Sequence, residues 1–292
     1  MQVEVHTVNA FVDGDAGGNP AGVVVDADGL STGQKLAVAQ QVGLSETAFV
    51  SKSHSATLKL EFFTPTRQIA HCGHATVATF SLLRQLGRVP QGLLSKETID
   101  GNRRIIVEGD MAFMEQKAPR YQPIAPGTDL DSRVMTSLGL QTARTVVVSG
   151  PVVVNTGNSF LLLALTDEAA VARLAPDMKQ VEAISDELDL IGYYAFSRTT
   201  QQPGRHAGAR MFAPRYGILE ESGTGMAAGP LACWLHDHGG VSESNVFIEQ
   251  GRLMRPASPC VIKVVLEHAQ GRVTGLMAGG RARVHSTRWA QV

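Results

Sequence analysis

Two glycines, Gly73 and Gly225, each stand directly before an apolar segment with helical spacing. A glycine at a helix start lets the backbone N–H groups of the first turn face a ligand, and the helix dipole favours an anion there. Two such helix starts, one from each half of the chain, would hold a small molecule that carries a carboxylate. The alternative is that both glycines only form tight turns into buried helices.

Glu46 is the carboxylate that the pattern places best for acid–base chemistry. It lies in the segment Gly43-Leu44-Ser45-Glu46-Thr47-Ala48-Phe49, between the end of a helix and an apolar strand. A carboxylate partly removed from water at such an edge can serve as a general base. The structural alternative is a solvated glutamate at the start of a strand.

His71, Cys72 and His74 form a compact group of possible metal ligands. No second cluster supplies the remaining ligands of a tetrahedral site, so the pattern argues against zinc. At a helix N-terminus, His74 would suit a proton relay or a hydrogen bond to a substrate. The alternative is a histidine that only caps the helix.

Glu220 and Glu221 precede the second glycine turn, in a segment that we interpret as a loop. Two carboxylates beside a helix N-terminus can simply balance the helix dipole. The alternative hypothesis is that one of them faces an amine of the ligand.

Composition narrows the class of protein. The 292 residues are enough for two domains, and 18% charged with 43% hydrophobic residues is typical of a globular chain. The net charge of −1 has no basic stripe, which argues against nucleic acid as a partner. No apolar run approaches the roughly 18 residues of a membrane span, and the N-terminus lacks the pattern of a signal peptide.

Cysteine usage predicts a reducing compartment. Cys72, Cys233 and Cys260 are too few and too scattered for a disulfide framework. We therefore expect a cytoplasmic enzyme.

The elements that must position these side chains are mostly strands. About a dozen short segments rich in Val, Ile and Phe predict strands, and without regular alternation with helices they indicate an α+β fold. Gly279-Gly280 predicts a hairpin turn between two C-terminal strands, and Pro119–Gly127 predicts a linker. The predicted helices are Thr32–Val42, His74–Leu86, Asp131–Leu138, Glu168–Leu174, Asp177–Glu187 and Met226–His238.

The chain shows weak internal similarity around the two glycine turns. Phe63-Thr64-Pro65 precedes the first turn, and Phe212-Ala213-Pro214 precedes the second. Each turn leads into a helix that is apolar or small on nearly every side in its first half. The repeat predicts two related halves, each a curved sheet wrapped around one enclosed helix.

Five motifs that span most of the chain carry a resemblance to a known family. In this order they closely resemble the phenazine-biosynthesis PhzF-like isomerases. The resemblance implies the diaminopimelate epimerase-like fold, in which two pseudo-symmetric domains each wrap a barrel-like, mostly antiparallel sheet around a central helix. It also implies an active site in the cleft between the domains, a homodimer, and an enzyme without cofactor or metal. The motifs are Asn19-Pro20-Ala21-Gly22-Val23, Gly43-Leu44-Ser45-Glu46-Thr47-Ala48-Phe49, Phe62-Phe63-Thr64-Pro65 with Cys72-Gly73-His74-Ala75-Thr76, Arg210-Met211-Phe212-Ala213-Pro214, and Thr224-Gly225-Met226-Ala227-Ala228-Gly229-Pro230-Leu231.

The resemblance also implies roles for individual residues. Glu46 falls on the family's catalytic acid/base, and His74 falls on its substrate-contacting histidine. The implied substrate-binding residues are Asn19, Gly73, Glu221, Gly225 and Met226.

This chain departs from the family pattern at the second turn. Glu221 stands where an aspartate is usual, and Met226 replaces a hydroxyl donor with an apolar thioether. A site that loses one donor and shifts a carboxylate should select a different ligand, because polar groups left without a partner are strongly disfavoured. The fold transfers from the family, whereas the phenazine substrate does not.

We therefore predict an isomerase that moves a proton within a small carboxylated metabolite, which we expect to be cyclic and to bear an amino or hydroxyl group. One alternative is a two-base epimerase, which would need a thiol at each turn, but Thr224 stands where the second cysteine would be. Another is a non-catalytic small-molecule binder. The predicted domains are residues 1–118 with about 278–292, and residues 119–277.

Overall fold

The computed structural model describes residues 1–292. Its internal contacts divide the chain into two compact units. Unit 1 comprises Met1–Glu115 with Gly279–Val292, and unit 2 comprises Gln116–Ala278. No helix is long and apolar enough to cross a bilayer.

Unit 1 holds two helices and most of its strands before residue 118. The helices are α1 (Thr32–Val42) and α2 (Gly73–Gln85). The strands are β1 (Gln2–Ala10), β2 (Asn19–Val24), β3 (Thr47–Ser51), β4 (Leu58–Phe63), β5 (Gln68–Ile69), β6 (Gly92–Thr98), β7 (Gly101–Glu108) and β8 (Met111–Lys117), together with most of the last strand of the chain, β17 (Arg272–Gln291).

Unit 2 adds four helices and eight strands. The helices are α3 (Asp129–Ser137), α4 (Glu168–Ala172), α5 (Met178–Glu187) and α6 (Gly225–Asp237). The strands are β9 (Arg120–Pro123), β10 (Val147–Asn155), β11 (Ser159–Leu165), β12 (Gly192–Ser197), β13 (Ala207–Ala213), β14 (Ile218–Glu221), β15 (Asn245–Gln250) and β16 (Cys260–Ala269).

Eight strands of unit 1 close into a ring. Going round it, β17 pairs with β1, then β2, β3, β4, β6, β7 and β8 follow, and β8 pairs with β17 again. Two of these pairings, β2 with β3 and β4 with β6, are parallel. The pairings β1–β17, β1–β2, β3–β4, β6–β7 and β7–β8 are antiparallel. A closed ring leaves no free sheet edge and encloses whatever lies inside it.

The same order of strand pairings occurs in both units. In unit 1 the series β1, β2, β3, β4, β6, β7 alternates antiparallel, parallel, antiparallel, parallel, antiparallel, and the short β5 adds to β4. In unit 2 the series β10, β11, β12, β13, β15, β16 has the same alternation, and the short β14 adds to β13. The α+β fold with two pseudo-symmetric halves is therefore confirmed.

Helices α2 and α6 hold equivalent places in this order, and each is 13 residues long. Every residue of α2 from Gly73 to Leu83 is buried. Their small and apolar side chains make both helices suited to the inside of a sheet rather than to its outer face.

Helix α1 begins and ends where the sequence predicts. The Ser31 hydroxyl accepts a hydrogen bond from the Gln34 N–H, and Oε1 of Gln34 accepts one from the Ser31 N–H, which completes a capping box. Gly43 ends the helix in the left-handed conformation, with φ of 67°. These local signals suffice to set both boundaries.

Two sequence predictions about connections are wrong. Gly279-Gly280 forms no hairpin turn, because β17 continues through it as one strand of 20 residues. A Cβ on Gly279 would lie 2.0 Å from the carbonyl oxygen of Ala112, so the glycine serves the close approach of β8 and not a turn. The predicted linker Pro119–Gly127 also contains a strand, β9, which pairs with β10.

Candidate active site

Glu46 is held between the end of α1 and the start of β3. Its carbonyl oxygen accepts a hydrogen bond from the Gly22 N–H at 3.0 Å, which fixes its backbone against β2. A Cβ on Gly22 would lie 2.7 Å from Oγ1 of Thr47, so this position needs a glycine. The Glu46 side chain is buried, at 7% exposure.

The imidazole of His74 lies between the Glu46 carboxylate and a thiol. Its Nε2 is 3.3 Å from Oε2 of Glu46, and its Nδ1 is 3.6 Å from Sγ of Cys72. All three residues are buried. The structure therefore brings together the two predicted catalytic residues, and it adds Cys72 to them.

Glu46, Cys72 and His74 also offer three ligand atoms within 4.8 Å of one another. However, the thiol and the carboxylate approach opposite nitrogens of the ring. Because an imidazole binds one ion through one nitrogen, this arrangement suits proton transfer along the ring better than convergence on a metal ion.

Helix α2 begins at Gly73 without a side-chain cap. Its N-cap residue, Cys72, has an extended backbone and makes no capping hydrogen bond, and the first turn carries no acidic residue. The N–H groups of this turn are thus not covered by a side chain of the cap residue. A helix start of this kind retains its attraction for an anion.

A buried lysine lies beneath the start of α2. Lys96 on β6 is fully buried, and its Nζ donates to Oγ1 of Thr76 at 2.6 Å. Its Nζ also lies 3.4 Å from Nδ1 of His71. Burial, with the nearby charges of Lys96 and Arg103, holds the pKa of His71 well below its usual value, so this imidazole is neutral at neutral pH.

In unit 2, Glu221 closes β14 instead of lying in a loop as predicted. Its Oε2 accepts a hydrogen bond from the hydroxyl of Thr224, the N-cap residue of α6. The neighbouring Glu220 instead forms an ion pair with Arg210, 2.7 Å between Oε1 and Nε. Of the two carboxylates, Glu221 is therefore the one that contacts the glycine turn.

Gln250 makes four hydrogen bonds, and three of them hold this second turn. Its Oε1 accepts from the Thr224 N–H at 3.0 Å and from the Tyr194 hydroxyl at 2.9 Å. Its Nε2 donates to the Glu221 carbonyl at 2.7 Å and to Oγ1 of Thr224 at 3.1 Å. Burial raises the pKa of the Tyr194 phenol well above its usual value, so Tyr194 stays a donor.

The remaining predicted residues have different surroundings. Gly225 begins α6, and its carbonyl accepts a hydrogen bond from Nε2 of Gln116 at 2.9 Å. Met226 follows it and is half-buried. Asn19 is the first residue of β2 and is buried in unit 1.

Two polar side chains that hold the helix starts, Lys96 and Gln250, were not predicted from the sequence. Both are buried on strands, β6 and β15. A short polar segment such as β6 gives no alternating apolar signal, so nothing in the sequence pattern marks its lysine as buried.

Solved structures show the fold class. A phenazine biosynthesis protein of the PhzF family from Bacillus anthracis superposes with a TM-score of 0.88 over 100% of both chains, at 23% identity. A hydroxyproline epimerase from Agrobacterium vitis superposes with a TM-score of 0.59, covering 99% of this chain and 92% of that one, at 11% identity. The chain thus has the epimerase-like fold that the motifs predict.

Sequence relatives define the family. Residues 8–286 match the family described as phenazine biosynthesis-like protein, PhzC-PhzF. The "Uncharacterized isomerase YddE" of Escherichia coli O157:H7 is 32% identical over 87% of this chain and 84% of its own length. The trans-2,3-dihydro-3-hydroxyanthranilate isomerase of Pseudomonas chlororaphis is 29% identical over 80% of this chain and 79% of its own length. The chain belongs to the phenazine biosynthesis-like family and is an isomerase of the PhzF type.

Proposed function

We propose that this isomerase moves a proton from one carbon to another within a small carboxylated metabolite, with Glu46 as the general acid/base. His74 orients the Glu46 carboxylate and relays protons to it. The reaction requires no net oxidation, because one C–H bond breaks, another forms, and a double bond changes place.

The observation that carries the proposal is the hydrogen bonding of one carboxylate oxygen of Glu46. Oε2 of Glu46 is buried and makes no hydrogen bond, although Nε2 of His74 lies only 3.3 Å away. Buried carboxylate oxygens almost always have donors, and one without them is available to accept a proton from a substrate. A structural glutamate would instead be exposed or satisfied.

The proton transfer proceeds in two steps. Glu46 takes a proton from carbon, and the electron pair of that C–H bond becomes delocalised towards the carboxylate of the substrate. The backbone N–H groups at Gly73 stabilise this developing charge, because they are preoriented and the dipole of α2 adds to them. The protonated Glu46 exchanges its proton with solvent through His74 and then protonates a different carbon.

For the substrate we propose a cyclic carboxylate with an amino or hydroxyl group. The relative from Pseudomonas chlororaphis is named for the isomerisation of such a compound, trans-2,3-dihydro-3-hydroxyanthranilate. Glu221 would contact the amine or hydroxyl. Because the resemblance implies an aspartate and a hydroxyl residue where Glu221 and Met226 stand, we expect a related compound and not this one to be preferred.

The test is deuterium incorporation from D2O into a set of cyclic amino- and hydroxycarboxylates that includes trans-2,3-dihydro-3-hydroxyanthranilate. Proton NMR follows the loss of the exchanging signal with the wild type and with Glu46→Gln. The matched control is Glu108→Gln, which neutralises an exposed carboxylate of the same unit. We expect exchange with the wild type and the control, and a loss of about 100-fold or more with Glu46→Gln.

A thiol mechanism is the second candidate, and the contact between Cys72 and His74 favours it. In that case alkylation of Cys72 would abolish exchange, whereas Glu46→Gln would retain it. If calorimetry shows that a compound binds, but no compound in the set exchanges deuterium, the result would instead support the alternative of a non-catalytic binder. The homodimer expected from the family and the cytoplasmic location expected from the cysteine usage remain predictions, which sedimentation and fractionation would test.

A further inference from the structure

Lys96 is the least expected buried side chain of unit 1. It is 0% exposed, and its ammonium group contacts a hydroxyl, an imidazole and the ring of Phe62, whose centroid is 5.0 Å away. Lysines are almost never fully buried unless they are paired with a carboxylate, because removing the charge from water is costly. A lysine in such a place suggests a use for its charge.

The contacts of Lys96 lead directly to the candidate active site. Its Nζ donates to Oγ1 of Thr76, and Oγ1 of Thr76 donates to the carbonyl of Cys72 at 2.6 Å. Cys72 is the N-cap residue of α2 and contacts His74. Lys96 therefore reaches the turn that carries His74 through a single intervening hydroxyl.

Four ionisable groups face Lys96 from the elements around it. His71 and Cys72 come from the segment before α2, Arg103 from β7, and Asp100 from the turn between β6 and β7. Burial and Arg103 lower the pKa of Lys96, Cys72 and Asp100 raise it, and the balance brings it to about 7. The charge under the turn therefore changes close to neutral pH.

In unit 2, the turn before the equivalent helix is held by an uncharged side chain. Lys96 pairs with Leu58, the first residue of β4, and Ile248 pairs with Ala207, the first residue of β13. Gln250 is two residues beyond Ile248, on the same face of the equivalent strand, and its neutral amide holds the turn before α6. A neutral side chain is thus sufficient for anchoring, so structure alone does not call for a lysine in unit 1.

We propose that Lys96 is a positioning residue of the candidate active site, which anchors the Cys72–Thr76 turn and stabilises negative charge there by its own positive charge. The proposal rests on the proposed function for its effect on turnover. Its electrostatic part is measurable without any substrate.

The probe is iodoacetamide, which reacts with the thiolate form of cysteine. Alkylation rates of the full-length protein are measured from pH 5.5 to 10, and peptide mass spectrometry separates Cys72 from Cys233 and Cys260. With Lys96→Met we expect alkylation of Cys72 to slow by about 10-fold below pH 7, where Lys96 carries its charge, and to approach the wild-type rate above pH 8. Lys59→Met removes a partly exposed lysine of β4 and should leave these rates unchanged.

Lys96→Gln, which imitates Gln250, serves if Lys96→Met does not fold, as judged by circular dichroism. An unchanged alkylation profile in the folded variant would overturn the proposal. If Cys72 resists alkylation altogether, NMR of 15N-labelled lysine side chains decides. The signal that disappears with Lys96→Met should titrate at a lower pH in Cys72→Ser than in the wild type, because the thiolate that favours the charged lysine is lost, and an equal midpoint in both would contradict the proposal.

The two proposals fail separately. A shifted alkylation profile together with deuterium exchange that persists in Glu46→Gln would remove the role of Glu46 and keep that of Lys96. An unshifted profile with exchange that depends on Glu46 would do the reverse.

Discussion

Glu46, His74 and Cys72 come from two segments of unit 1 that are far apart in sequence, yet their reactive atoms lie within 4.8 Å. One imidazole touches a carboxylate through Nε2 and a thiol through Nδ1. Under the proposed function, this arrangement would let protons pass to and from the carboxylate through one imidazole. The thiol is a second group beside that imidazole that can hold a proton.

The departures at the second turn lead to a prediction about selectivity. The double variant Glu221→Asp with Met226→Ser restores the residues usual in the family, and Asp is one methylene shorter at the carboxylate that accepts from Thr224. We expect relative exchange rates to shift at least about 10-fold towards trans-2,3-dihydro-3-hydroxyanthranilate, because under the proposed function the polar groups offered to the ligand change. Competition between two substrates in one NMR tube measures the ratio.

Glu220→Asp is the matched control for this prediction. It shortens the adjacent carboxylate, which pairs with Arg210 and not with the turn. An equal shift in the control, or no shift in the double variant, would show that Glu221 and Met226 do not select the ligand.

Resemblance to the family made Glu46 and His74 predictable as a pair, but not their distance or the contact with Cys72. The burial of Lys96 could not be predicted from the sequence, for a physical reason. Two of the three inward positions of β6, Lys96 and Thr98, are polar, so the strand lacks the apolar alternation that reveals a half-buried strand. A buried charge becomes visible only when its neighbours are known.

At the scale of elements, β17 and β8 approach each other too closely for a side chain at Gly279. A Cβ there would lie 2.0 Å from the Ala112 carbonyl oxygen and 2.6 Å from Cα of Phe113. Both neighbours are backbone atoms and cannot swing aside. The ring of strands therefore depends on the absence of one methyl group.

Gly279→Ala should accordingly lower the free energy of unfolding by about 2 to 3 kcal/mol, measured by urea denaturation. Gly33→Ala is the control, since a Cβ at this exposed position of α1 meets nothing within 4 Å. It should raise the free energy of unfolding by about 0.5 kcal/mol, because alanine restricts the unfolded chain. Similar effects of the two substitutions would contradict the close approach.

The elements differ in how far the sequence determines them. Helix α1 was predictable because its boundaries depend on local hydrogen bonds around Ser31 and Gly43. The prediction of a hairpin at Gly279-Gly280 was wrong, because Gly279 allows close contact with a strand that is more than 160 residues away in sequence. The local sequence pattern alone does not distinguish a glycine in a turn from a glycine that allows close packing, because the difference lies in partners that are distant in sequence.

At the scale of the whole molecule, the repeated order of strands confirms the internal similarity that was weak in the sequence. Both units place a 13-residue helix after a short strand, and both begin it with a glycine. They differ in the polar residue that holds the helix start, a lysine in unit 1 and an amide in unit 2. The difference has a consequence for stability.

The lowered pKa of Lys96 makes the unfolding free energy depend on pH in a defined direction. Below pH 7 the lysine is protonated in both states, and the folded state bears the full cost of the buried charge. Between pH 7 and the unfolded value of 10.5 the folded state has lost its proton and the unfolded state keeps it, so stability rises with pH. Above 10.5 the penalty is gone.

Lys96→Met removes this dependence. The unfolding free energy of the variant minus that of the wild type should therefore fall by about 2 kcal/mol between pH 7 and pH 9, in urea titrations at both pH values. A difference that stays constant or grows with pH would mean that Lys96 is not buried as a titrating amine.

The central claim is that the Glu46 carboxylate moves the proton, and one ratio tests it most directly. This ratio is the rate of solvent-deuterium incorporation into the best exchanging carboxylate with the wild type, divided by the rate with Glu46→Gln, at equal protein concentration. We predict a ratio of about 100 or more, because the amide keeps the shape of the side chain and cannot accept the proton. A ratio near 1 would contradict the proposed role of Glu46.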